Sequence, residues 1–261
     1  MPKAVEAARR AVALDPALAE AHSALAHTSL CTWDRAETER EFARAVQLNP
    51  QDIQARALYA FGYLQISKGR LTEGMEQGKL VLASDPLSGY AHAMYALTCN
   101  LAGKTAESVE MSRRAVQLDS ESFHANWVLQ VILVSSGQFE ASVAAGESAL
   151  AMSGRHPWSM AWLAFALADW GKAREADSLY FEMQARAGRE YVAPTSLAVA
   201  ALATAREDEA IRYAREACEI RDPCRTIFFS RYFYVSARLY RDPRFREIIA
   251  RAGRSDWLRD Q

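Results

Sequence analysis

Apolar residues along this chain recur at i, i+3 and i+4, as at Phe42, Ala45 and Val46, the spacing of a helix with one buried face. The pattern also repeats on a longer scale. The segments ALDPALAEAH, QLNPQDIQAR and ASDPLSGYAH place Pro16, Pro50 and Pro86 at one point of three successive units, and the spacing continues to Ser120, Gly154, Gly188 and Pro223. The steps between these marks are 34 to 36 residues. Ten residues past most of them sits an alanine (Ala26, Ala60, Ala96, Ala164, Ala198), small as two closely approaching helices require. Gly69, Gly103, Gly137 and Gly171 close the first half of their units, where a left-handed residue ends one helix before the next begins. Each unit therefore reads as a helix, a tight turn and a second helix, with no strand. A fixed period of this length predicts a stack of supersecondary units, so function is to be sought on the surface of the stack.

Departures from the period carry information. The second unit has two extra residues before Gly69, which predicts a longer or bulged first helix. Ser120, Gly154 and Gly188 replace the proline of the other unit ends, and Pro194 falls where a helix should start. Residues 1–16 read as a partial repeat, a second helix (Ala4–Leu14) without its first, so residue 1 is expected not to be the natural beginning of the array. That end is expected to self-associate or fray. Residues 17–223 read as six repeats and 224–261 as a cap. In the cap, TIFFSRYFYVSARLY predicts one helix whose wide apolar face (Phe228, Phe229, Tyr232, Phe233, Tyr240) covers the end of the stack. Asp242-Pro243 then opens a last helix with Phe245, Ile248 and Ile249 inward. Contacts restricted to neighbouring repeats predict less cooperative unfolding than in a globular domain.

The recurring residues resemble the tetratricopeptide repeat: His22-Leu25-Ala26 with Phe42-Ala45-Pro50, and His92-Tyr95-Ala96 with Ala115, over roughly residues 3–223. The stretches WDRAETEREFARAVQLNP, EYVAPTSLA, EAIRYAREACEIRDP and YRDPRFREIIARAG are, in that order, similar to the C-terminal repeat region of bacterial signalling proteins. There the repeats follow a winged-helix transcription-regulator, serine/threonine kinase or nucleotide cyclase domain. The resemblance implies an all-α right-handed superhelical solenoid with a C-terminal helical cap. It implies a non-catalytic protein–protein interaction scaffold that binds a peptide or helical segment in its concave groove. The alternative is a regulatory or sensor tail of a larger signalling protein, acting on its own missing N-terminal effector domain or on a second copy. The family's groove positions fall here on Tyr90, Asn100, His124, Trp127, Trp158 and Phe165. No unit has the Lys and Asn pair that clamps a peptide's terminal carboxylate in related arrays.

Composition adds bounds. Half the residues are apolar, 24% are charged and the net charge is −1, which gives no global pull toward nucleic acid or anionic membrane. MPKAVEAARR has no apolar run and no stretch of ~18 apolar residues follows, so a cytoplasmic location without membrane partners is expected. Cys31, Cys99, Cys218 and Cys224 lack CxxC spacing and read as reduced structural thiols. The histidines (His22, His27, His92, His124, His156) form no HExxH or other zinc spacing, and no phosphate-binding glycine motif occurs. No metal, cofactor or catalytic constellation is expected. The arginines of the C-terminal end (Arg225, Arg231, Arg238, Arg241, Arg244, Arg246, Arg251, Arg254) face only Asp242 and Glu247 over that stretch. No nucleic-acid motif accompanies them, and they read as the wet face of the cap.

Overall fold

The computed structural model describes residues 2–258, which form a right-handed superhelical solenoid of α-helices with no strand among them. A lone helix α1 (Pro2–Leu14) precedes six helix pairs. These are α2 (Ala19–Thr32) with α3 (Arg35–Leu48), α4 (Ile53–Leu58) with α5 (Leu71–Ser84), and α6 (Gly89–Leu101) with α7 (Thr105–Leu118). Then follow α8 (Phe123–Ser135) with α9 (Phe139–Met152), α10 (Pro157–Asp169) with α11 (Ala173–Ala187), and α12 (Pro194–Ala203) with α13 (Glu207–Glu219). The chain ends in α14 (Arg225–Phe228), α15 (Ser236–Leu239), α16 (Pro243–Arg251) and a 3-10 turn, Ser255–Leu258.

Local chemistry sets these boundaries. Asp52, Ser88 and Ser122 cap first helices by accepting a backbone N–H with the side-chain oxygen. Pro194, expected to disturb a helix, occupies the first turn of α12, where its missing N–H is harmless. The turn between helices is left-handed at Gly69, Gly103, Gly137 and Gly171, as the sequence predicts, but in the first unit Trp33 takes that conformation (φ 65°). The extra residues of the second unit are absorbed by continuing α4 as a π-helix, Tyr59–Ser67.

Ala26, Ala60, Ala96, Ala164 and Ala198 are all fully buried where helices meet. In the fourth unit Gln130 holds that register, also fully buried, and Gly146 of α9 makes the room: a Cβ there would lie 2.3 Å from Gln130 Nε2. The two helices of a unit differ in kind. The second helices bury one face, as α7 does with Ser108, Val109, Ser112 and Ala115. The first helices become apolar all round toward the C-terminal half, and every residue of α12 is buried.

The reason lies after residue 223, where the structure corrects the expected cap. TIFFSRYFYVSARLY does not form one helix; two four-residue helices flank a turn, and the segment runs into the concave interior. Phe228 and Phe233 pack on Trp162 of α10, whereas Phe229 packs edge-on against Phe245 of α16. Neighbouring aromatics aimed at different elements cannot share one helical face. The segment then reaches the first two units: Trp33 Nε1 donates to Thr226 Oγ1 (2.8 Å) and Ser230 Oγ donates to Ile66 O (2.9 Å), while Arg254, further on, donates from Nη2 to Ser67 O (2.7 Å). The last helix is as expected, with Phe245, Ile248 and Ile249 buried. Residues 259–261 of the predicted cap lie outside the described residues.

Contacts are thus not confined to neighbours. The C-terminal segment joins the second unit to the fifth and sixth in one apolar cluster, so the expectation of weakly coupled repeats gives way to coupling across the superhelix. Among the described side chains of α1, by contrast, only Ala8 is buried, and Leu14 is 78% exposed. Native-state hydrogen exchange should find the fastest helical amides in α1 and the slowest in α10 and α12. Equal protection of α1 and α10 would contradict this packing hierarchy.

Candidate functional site

The residue two positions after each first-helix cap occupies the same register in successive units: Ser88 precedes Tyr90, Ser122 precedes His124, and His156 precedes Trp158. Stacking the units places these side chains side by side, and Trp127, one turn further along α8, completes a row. Ring centroids are 5.3 Å apart for Tyr90 and His124, 5.7 Å for His124 and Trp127, and 5.5 Å for Trp127 and Trp158. The row borders a concave bay of about 590 Å³, closed by Phe61 of the π-helix, Met94 of α6 and Ile227 of the C-terminal segment. Among the described residues no Asp, Glu, Lys or Arg lines it. Burial holds His124 down at about 4, so its imidazole is neutral. His156 Nδ1 accepts the Trp158 backbone N–H (3.2 Å), which leaves Nε2 to carry its proton when the ring is neutral.

Four of the six expected groove residues therefore meet. The other two do not join them. Asn100 accepts a hydrogen bond from Ser135 Oγ (3.1 Å) outside the bay lining. Phe165 is buried beneath the C-terminal segment, edge-on to Tyr234 and under the Arg238 guanidinium, 4.9 Å from the ring centroid. Around it the groove holds the segment through specific groups. Phe228 lies 4.4 Å from the Trp158 centroid and 5.6 Å from that of Trp162. Asp169 accepts from the Tyr234 hydroxyl (2.8 Å) and from Arg238 (2.7 Å). Trp162 faces the segment from the register between the expected positions, and its role was not visible in the spacing.

The segment's second anchor is Trp33. Its indole N–H donates to Thr226 Oγ1 (2.8 Å), its ring stacks under Arg225 (4.3 Å), and Trp257 meets it edge-on at 6.0 Å. Arg254 sits 3.6 Å over the Trp257 ring. Both arginines are 1% exposed. Burial lowers their pKa values, Arg254 to about 10, which still leaves them cationic at neutral pH. Asp256 stands against Arg254 (3.2 Å) and also pairs with Arg35. A tryptophan in the left-handed conformation costs about 1–2 kcal/mol. Its retention at a position that is glycine in four other units is explained by what the indole holds.

Much of the arginine-rich end is spent internally. Besides Arg225, Arg238 and Arg254, Arg244 pairs with Asp242 and Asp208 (2.7 Å each) and Arg251 with Glu247. His22 and His92 pack as expected: His22 Nδ1 lies 2.6 Å from Glu41 and Nε2 3.0 Å from the Pro16 carbonyl, so neither nitrogen is left for a nucleophile. Burial pushes the Cys31 and Cys99 thiols up to about 11, which keeps them protonated and unreactive. Among the described residues no group of three or more His, Cys, Asp or Glu could hold a metal ion, and no helix is long and apolar enough to cross a membrane.

No protein-family model and no curated protein sequence matches this chain. Solved structures do. The chain is similar to TTC0263, a thermophilic TPR protein of Thermus thermophilus, with a TM-score of 0.59 and 18% identity over 76% of this chain and 97% of that one. It is similar to PilW, a type IV pilus biogenesis factor, with a TM-score of 0.57 and 19% identity over 77% and 92% of the two chains. Against Cut9 of the Cut9–Hcn1 hetero-tetramer the TM-score is 0.60 at 14% identity, covering 94% of this chain and 45% of that one. At these identities the likeness establishes the fold, a tetratricopeptide-type solenoid.

Replacing Trp33 by glycine removes the left-handed strain, which alone would stabilise the fold by about 1 kcal/mol. We expect a net loss of at least ~2 kcal/mol in urea denaturation, because a packed aromatic is deleted and the buried Arg225 loses its ring. A gain in stability would show that the indole closes nothing. His124 gives a pH signature. Its folded pKa (about 4) lies below the unfolded value of 6.5, so the unfolded chain binds the proton first. The stability it contributes is complete above pH 6.5 and falls as pH drops toward 4, by about 2 kcal/mol between pH 7 and 5. The urea midpoint of His124→Leu should lose that part of the wild-type pH slope.

Proposed function

We propose that this chain is a non-catalytic protein–protein interaction scaffold whose concave face recognises a segment carrying an aromatic residue and an arginine. One observation carries the reading. The C-terminal segment already lies in the groove, and it is held by side chains at the family's groove positions: Phe228 on Trp158, and Tyr234 and Arg238 on Phe165 and Asp169. A partner presenting the same groups, an aromatic followed six residues later by Tyr and ten residues later by Arg, meets the same complement. Aromatic anchoring supplies most of the energy and the Asp169–Arg238 pair supplies direction. The chain's own segment competes at a high effective concentration, so such a partner binds a groove that is regulated in cis.

The resemblance to C-terminal arrays of bacterial signalling proteins supports a source for that partner, either an effector domain on the same polypeptide or a second copy of the chain. The commitment of both His22 nitrogens and the protonated, buried cysteines support a binding role over a catalytic one.

A fluorescent peptide of residues 225–240 tests the reading by anisotropy. Arg238→Ala, at a half-exposed side chain, loosens the internal segment without opening the core. The variant should bind the peptide in the micromolar range or about tenfold more tightly than the wild type does, and adding Asp169→Asn should remove that gain. A folded Arg238→Ala chain that ignores the peptide would overturn the proposal.

A further inference from the structure

We propose that the bay between the aromatic row and Ile227 is a binding site for a small, uncharged, apolar molecule with a ring-shaped body and one hydrogen-bonding group. It shares Trp158 with the groove surface that holds the C-terminal segment but opens on the other side of Ile227, and the inference does not rest on the segment reading.

Size is the first argument. About 590 Å³ lies in the range of small-molecule sites, roughly 300–1,000 Å³. The lining is the second. Phe61, Tyr90, Trp127 and Trp158 present rings, and Met94 and Leu97 supply aliphatic surface that adapts to shape. With no carboxylate, amine or guanidinium in the wall, a charged ligand would shed hydration with nothing to replace it. Among the described residues, the ionisable groups of the wall besides Tyr90 are His124, kept neutral by burial, and His156 at the exposed rim.

Polar complementarity is sparse, as such sites require. Burial and nearby Asp52 raise the Tyr90 hydroxyl to about 12, so it stays protonated and able to donate. His156, committed at Nδ1, retains Nε2. These two groups call for one hydroxyl, carbonyl or amine on the ligand.

The position of Ile227 decides between a small molecule and a chain. It belongs to the wall, and its neighbour Phe228 fills the next stretch of groove against Trp158 and Trp162. A polypeptide laid along the groove would have to displace both. A small molecule seats beside them.

The test uses the full chain and two dyes of one ring system, neutral N-phenyl-1-naphthylamine and 8-anilinonaphthalene-1-sulfonate. The neutral dye should bind one-to-one and saturably while quenching tryptophan emission, and the sulfonate should bind at least about tenfold more weakly. Met152→Trp, at a rim position 41% exposed, should fill the bay and weaken the neutral dye about tenfold without lowering the melting temperature. Non-saturable binding, preference for the sulfonate, or unchanged affinity in a folded Met152→Trp chain would overturn the site. Competitive loss of the neutral dye to the 225–240 peptide would assign the bay to the segment and overturn the distinct site, leaving the segment reading intact.

Discussion

The closure of the superhelix by its own C-terminal segment is the constraint on which the rest of the structure depends. An open solenoid leaves the concave side of its first helices in water, and here those helices are too apolar for that. Most of α10 and all of α12 is buried, with Phe228 and Phe233 lying on Trp162 of α10 and sharing one apolar cluster with both helices. Apolar burial supplies the driving force, but it is non-directional. Register comes from the far anchor, where Arg225 and Arg254 sit on tryptophan rings and Ser230 and Arg254 donate to two backbone carbonyls. Buried guanidinium is expensive unless compensated, and ring faces, the Asp222 main-chain carbonyl and the Asp256 carboxylate together provide the compensation.

Closure also divides the concave face into two functional parts. Beyond Trp158 the groove is satisfied internally, with Asp169 taking both its hydrogen bonds from the segment. On the other side of Ile227 the aromatic row borders open space. The two parts meet at Trp158, which touches both Trp127 and Phe228. Whatever fills the bay is therefore one ring away from the segment, through packed side chains that have discrete rotamers.

Periodicity made the repeats legible, because one register with small residues at fixed offsets permits only one way of stacking. The resembled family's groove positions, counted along the units, fall on Tyr90, His124 and Trp158 at one shared register, and in the structure these three line the bay. Counting stopped at the segment. Trp33 interacts with Thr226, 193 residues away, and no local pattern encodes such a contact. Arginine reads as surface in a sequence, so Arg225 and Arg254 looked like the wet face of a cap when they are among the most buried large side chains. One sign was present. Helices reading FHANWVLQVILVS, PWSMAWLAFALAD and PTSLAVAALA lack a polar face, and a helix apolar all round has to be covered on every side.

The irregular second unit fits the same account. Its two extra residues broke the period in the sequence, and in the structure they widen α4 into a π-helix instead of looping out. A π-segment is less stable than α-helix and persists where something outside it uses the altered geometry. Here that use is at its C-terminal end, where the carbonyls of Ile66 and Ser67 accept from Ser230 and from the cationic Arg254, at the negative pole of the helix. Gly69 follows directly, left-handed at φ 71°, and a Cβ on it would lie 2.1 Å from the Tyr232 hydroxyl. The insertion, the glycine and the C-terminal segment are thus parts of one contact. A unit of regular length would end its helix before the carbonyls that the segment binds.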